Sequence, residues 1–148
     1  MTPTKLQQLL VARLPEAQGI ASAEVWPQRP YGLTVALAGG ASVHWMVTGA
    51  SGVAPTIERK EPDQAEFPDL TTSPVKVADI ELALQATILR AAEGVLRVSR
   101  YSTRPEPPAV VFGLTVDCSD GWRLFVSAVG TSSGPGDRVR PVAAGATV

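Results

Sequence analysis

Gly32-Leu33-Thr34-Val35 returns 81 residues later as Gly113-Leu114-Thr115-Val116. A chain that repeats itself folds either as two like units or as one unit with internal symmetry, so this match limits the architecture before any other feature is considered. At the same offset Gly40 meets Gly121, Gly49 meets Gly130 and Ser51 meets Ser132, giving seven identities in the 21 positions from Gly32 to Gly52. Upstream the offset becomes 75. There Ala17-Gln18-Gly19-Ile20 matches Ala92-Glu93-Gly94-Val95, Trp26 meets Tyr101, and Arg29-Pro30 meets Arg104-Pro105. The six additional residues of the second copy fall in Pro105-Glu106-Pro107-Pro108, a proline cluster of the kind that marks a loop insertion.

Each copy reads as a helix followed by three short strands. Thr4-Lys5-Leu6-Gln7 has the form of a capping box, and Asp79 is the corresponding cap of the second helix. Leu6, Leu9, Leu10, Leu14 and Ala17 share one helical face. Gly19 and Gly94 stand where a left-handed residue ends each helix. The second helix is the more apolar, with Ile80, Leu84, Ile88 and Val95 on one stripe and Leu82, Leu89 and Leu96 on another, so it is expected to be the more central. Extended segments follow over 23–28 and 96–103, each closed by Arg-Pro. Hairpins come next: Leu33, Val35 and Leu37 turn through Gly39-Gly40 into Val43, Trp45 and Val47, and Leu114, Val116 and Cys118 turn through Asp120-Gly121 into Leu124, Val126 and Ala128.

These readings divide the chain into a first αβββ repeat over 1–52, an acidic, proline-rich linker over 53–78, a second αβββ repeat over 79–133 and a flexible C-terminal tail over 134–148. The tail contains Arg138-Val139-Arg140, which has the pattern of an added edge strand. The fold class is α+β: two tandem repeats forming antiparallel sheet, both helices packed on it, related by a pseudo-two-fold axis.

Composition supplies exclusions. The 148 residues are 45% hydrophobic, enough for a core, and no stretch has the length of a membrane span or the form of a signal peptide, so the expected location is the cytoplasm. A net charge of −1 gives no global attraction to nucleic acid or to an anionic membrane. One cysteine, Cys118, forbids an internal disulfide, and one histidine, His44, leaves too few ligands for a Cys/His zinc site; neither a metal nor a cofactor is expected.

His44 is the natural general base, yet the repeat aligns it with Phe125, which marks a packing position, and no partner stands at a fixed spacing. Cys118 aligns with Leu37 and reads as a small hydrophobe. Gly39-Gly40 and Gly134-Pro135-Gly136 lack the Lys-Ser/Thr and following helix of a phosphate loop, and Gly49-Ala50-Ser51-Gly52 lacks the spacing of a nucleophile elbow. No catalytic residue is assigned.

The repeat does strengthen one constellation, an aromatic with an arginine in each copy: Trp26 with Arg29 and Tyr101 with Arg104. These are residue types that protein interfaces favour. The first expectation is therefore a non-catalytic protein-interaction module, a small adaptor, assembly component or inhibitor of phage or mobile-element type, working on a protein partner or by self-association as a homodimer. The alternative is a nucleic-acid-binding regulator using Arg90, Arg97, Arg100 and Arg104, with Arg100, Ser102 and Arg104 on one strand face beside Tyr101. An enzyme of unknown class built on His44 or Cys118 stands third.

Overall fold

Pro3 settles where the first helix begins. A proline at the first helical position has no N–H to leave unsatisfied and its φ is already helical, so Thr2 rather than Thr4 is the cap, its hydroxyl accepting from Lys5 N at 3.3 Å. The computed structural model describes residues 1–53, 66–106, 109–134 and 136–148. In it α1 runs Pro3–Arg13 and continues into a short 3-10 turn, Leu14–Glu16; β1 (Ile20–Trp26), β2 (Gly32–Leu37) and β3 (Ser42–Ala50) follow. After them come α2 (Val77–Ala91), β4 (Val95–Arg100), β5 (Gly113–Cys118) and β6 (Arg123–Ser132). The expected start of the second helix at Asp79 moves to Lys76, whose side chain makes no capping bond. Val77 N instead donates to Ala146 O, so backbone from the C-terminal segment does the work of a cap and Asp79 lies in the first turn.

The chain is α+β. Its six strands form one antiparallel sheet in the order β1-β2-β3-β6-β5-β4, so β3 and β6 pair at the centre while β1 and β4 are the edges. β2 and β5 start and stop 81 residues apart, and both edge strands shift register just after their first residue, between Ile20 and Ser22 and between Val95 and Arg97. Gly19 (φ +94°) and Gly94 (φ +74°) occupy the left-handed region, as their positions after the helices demand.

Alternation decides which face meets the helices. Leu33, Val35 and Leu37 of β2, Val43, Trp45 and Val47 of β3, Leu114, Val116 and Cys118 of β5 and Leu124 and Val126 of β6 are all buried on one face. They form a single core with Leu6, Leu10 and Leu14 of the first helical segment and Ile80, Leu84 and Ile88 of α2. The expected greater burial of α2 is seen, but its second stripe is displaced: Leu82 and Leu89 are half-buried, and Ala83, Ala86 and Thr87 are buried instead.

Residues 54–65 of the expected linker lie outside the described residues. The C-terminal segment pairs with the rest of the chain through Thr131 and Arg140, which exchange both backbone bonds, and through Val75 and Val148, which do the same. No helix among the described residues is long and apolar enough to cross a membrane.

Candidate functional site

The opposite sheet face carries Ser22, Glu24 and Trp26 of β1, Thr34 and Ala36 of β2, and Ser42, His44, Met46 and Thr48 of β3. The second half adds Phe125 and Ser127 of β6, Thr115 and Asp117 of β5, and Arg97 and Ser99 of β4. Thr48 is exposed, and Thr34, Ala36, Met46, Thr115, Phe125 and Ser127 are partly exposed, whereas Val43, Trp45, Val47, Leu114, Val116, Leu124 and Val126 on the helix side of the same strands are buried. This face therefore differs from the core face by its mixture of polar, small and a few large apolar groups.

Both predicted aromatic–arginine pairs lie here, one at each edge. The Trp26 ring stacks on His44 at a centroid separation of 4.7 Å, with Arg29 5.9 Å from the Trp26 centroid. At the other edge Arg104 lies 4.4 Å from the centroid of Tyr101, close enough for cation–π attraction, and also donates to Thr115 Oγ1 at 3.3 Å. Gly113 makes room for that arrangement: a Cβ there would come within 2.7 Å of the Tyr101 ring. Trp26 and Tyr101 are nearly buried while Arg29 and Arg104 are exposed, so each ring forms the floor of its pair and the guanidinium the accessible part. Tyr31, unmarked in the sequence reading, adds an exposed ring beside the Trp26 loop and adopts φ +50°, the sole non-glycine positive φ among the described residues. Its carbonyl accepts from Val47 N, which holds the loop in that unfavourable region.

His44 is a buried member of this face. Its Nδ1 and Thr34 Oγ1 lie 2.9 Å apart and its Nε2 and Ser132 Oγ 3.0 Å apart, so both ring nitrogens have hydroxyl partners. Burial holds its pKa below that of a free imidazole, favouring the neutral ring. Ser132 also borders a cleft of about 680 Å³ between the β2–β3 turn and the C-terminal segment, with Ser73, Arg140 and Val148, but His44 does not line it. Cys118 is buried in the core and its thiol is pushed up by that burial, the opposite of what activates a thiolate.

The four arginines of the nucleic-acid reading are dispersed. Arg90 sits 4.5 Å from the Phe67 ring centroid near the end of α2. Arg97 pairs with Asp117 at 3.2 Å on the open face. Arg100, expected to share a face with Arg104, turns to the helix side, where it bonds Glu81 at 2.8 Å and Ala78 O at 3.0 Å. Ser102 goes with it, its hydroxyl and amide both donating to Glu81. The reason is the buried carboxylate of Glu81, which needs cationic and N–H partners. Nothing in the sequence marked Glu81, because its partners are brought to it by the fold.

Among the described residues no cluster of three or more His, Cys, Asp or Glu side chains has the form of a metal site. No family model, curated protein or solved structure matches this chain.

Proposed function

We propose that the chain is a duplicated αβββ module, its two halves related by a pseudo-two-fold axis between β3 and β6, which acts without catalysis by docking a protein partner on the open sheet face. The duplication is supported by the palindromic strand order, the 81-residue spacing of β2 and β5 and the matching register shifts of β1 and β4. The observation that carries the docking reading is the pair of arginine–aromatic clusters at opposite edges of one sheet face, with part-exposed Met46 and Phe125 between them. Large aromatics and arginines give much contact area for little lost side-chain entropy, and apolar groups between them supply a desolvated centre.

Charge selects the partner. The face and its two pairs hold Arg29, Arg97, Arg104 and Arg123 against Glu24 and Asp117, a positive excess on a chain whose net charge is −1. Two such faces repel each other, so a foreign protein with an acidic surface fits better than a second copy. A photo-crosslinking residue placed at Thr48 is expected to give one discrete heterologous adduct in the native host, and the same residue at Gln8 on α1 none. Trp26→Ala with Tyr101→Ala should abolish the adduct while the far-ultraviolet circular dichroism is retained. An adduct of twice the chain mass, or one insensitive to both substitutions, refutes the reading.

A further inference from the structure

Asp117 has two guanidiniums. Arg123 Nε donates to Asp117 Oδ1 at 2.8 Å, and Arg97 donates to Asp117 Oδ2 through Nε at 3.3 Å and Nη2 at 3.2 Å. The three residues form one cross-strand row, Arg97 opposite Asp117 and Asp117 opposite Arg123. The carboxylate side chain is only 9% exposed, whereas those of Arg97 and Arg123 are 37% and 30% exposed. One carboxylate neutralises one of the two cations. Each guanidinium carries five N–H donors in a planar fork, and the bonds to Asp117 use two of Arg97 and one of Arg123, leaving both terminal nitrogens of Arg123 unspent among the described residues. Asp117 thus acts as a buried anchor that orients two forks while their outer edges face solvent.

The fold does not require this row. Across β1, β2 and β3 the register sets Ser22 opposite Ala36 and Ala36 opposite Ser42, so a row of small neutral side chains serves on that side of the sheet. One strand position further, Thr115 stands between Ser99 and Phe125, and Arg104 reaches Thr115 from its seat on Tyr101. Three arginines, two hydroxyls and one part-exposed aromatic ring therefore bound a single patch on the β4–β5–β6 half of the open face, with Asp117 its one carboxylate among the described residues.

We infer that this patch is an anion subsite that receives a side-chain carboxylate of the partner protein, with the neighbouring apolar residue of that partner on Phe125. The inference rests on the docking reading given above and adds to it the chemistry of one contact. An acidic protein segment fits better than a nucleic-acid backbone for two reasons. Asp117 stands at the centre of the arginine pair, where a doubly charged or repeating phosphate meets a fixed negative charge, while a single carboxylate can take the outer N–H edges bidentately. Three adjacent strands also span only about 10 Å, too short for a continuous phosphate track.

The test is an NMR titration of the full chain, reading the arginine Nε–H signals and the backbone amides of the open face. The probe is the peptide acetyl-Asp-Phe-Asp-Leu-Asp-Phe-amide, its control the same peptide with Asn for Asp, and its competitor a thymidine dodecamer. The acidic peptide is expected to shift the signals of Arg97, Arg104 and Arg123 together with the amides of Ser99, Thr115 and Phe125, and to bind about tenfold tighter than the Asn peptide at low salt. Arg104→Gln, which leaves Asp117 fully paired, and Arg123→Gln should each weaken the acidic peptide about threefold to tenfold and leave the Asn peptide unchanged. Equal binding of the two peptides, with shifts confined to Met46 and Phe125, overturns the anion subsite and leaves the docking face standing. Shifts from neither peptide overturn the subsite, and tighter binding of the dodecamer replaces it with a phosphate site.

Discussion

His44 is a packing group with polar obligations. In the second half of the sheet Phe125 fills the corresponding position without any, and the difference is that His44 lies between the hydroxyls of Thr34 and Ser132 under the Trp26 ring. Among the described residues no carboxylate bonds its ring, and desolvation by burial moves its pKa downward. A base with a lowered folded pKa binds fewer protons in the native state than in the unfolded one. Stability then rises with pH between the folded value and the unfolded reference of about 6.5, is fully present above that reference, and is lost as pH falls through the folded pKa. Urea midpoints of the wild type are expected to fall between pH 7 and pH 5 more steeply than those of His44→Phe. Parallel slopes for the two proteins would show that His44 is not the group responsible.

Helix-to-sheet attachment in the second half depends on Glu81, fully buried on α2. It accepts from Arg100, from the amide and hydroxyl of Ser102 and from Gly113 N at 2.8 Å, so one carboxylate ties α2 to the end of β4, to the loop after it and to the start of β5. Glu81→Ala leaves the Arg100 guanidinium and three backbone or hydroxyl donors without their acceptor. Chemical denaturation should report a loss of about 3–5 kcal/mol. A loss below about 1 kcal/mol would mean that water replaces the carboxylate and that the helix is held by packing alone. This element was not legible in the sequence, because a lone Glu on an amphipathic helix looks solvated until residues 19, 21 and 32 positions away are folded onto it. Elements written in local chemistry were legible: the alternation in both hairpins and the left-handed Gly19 and Gly94. Helix starts fell between. Thr4 and Asp79 have the right side chains for caps, but Pro3 in one case and a distant backbone carbonyl, Ala146 O, in the other move the true starts two and three residues earlier. For the site, the internal repeat singled out the pairs Trp26–Arg29 and Tyr101–Arg104, whereas the Arg97–Asp117–Arg123 row needed the register of three strands.

The two halves meet along β3 and β6, the longest strands of the sheet and its central pair. Separating them would unmask two long edges whose N–H and C=O groups have no other strand to bond, and would open a core in which Leu6, Leu10 and Leu14 share one cluster with Ile80, Leu84 and Ile88. Three strands and a helix bury too little apolar surface to offset that loss in a unit of this size. The whole chain should therefore unfold in a single transition, the same by fluorescence and by circular dichroism. A sharper consequence concerns the connection. If a protease site is introduced between residues 54 and 65 and cut, the fragments are expected to co-elute as one particle under native conditions. Their unfolding midpoint should then rise with protein concentration, because refolding has become bimolecular. Fragments that separate on gel filtration while each keeps its secondary structure would show two independent domains, and would count against the pseudo-two-fold docking face proposed above. Co-elution with a concentration-dependent midpoint would instead mean that the face exists only when both halves are joined along β3 and β6, so that any partner spanning Trp26 and Tyr101 also stabilises the seam between them.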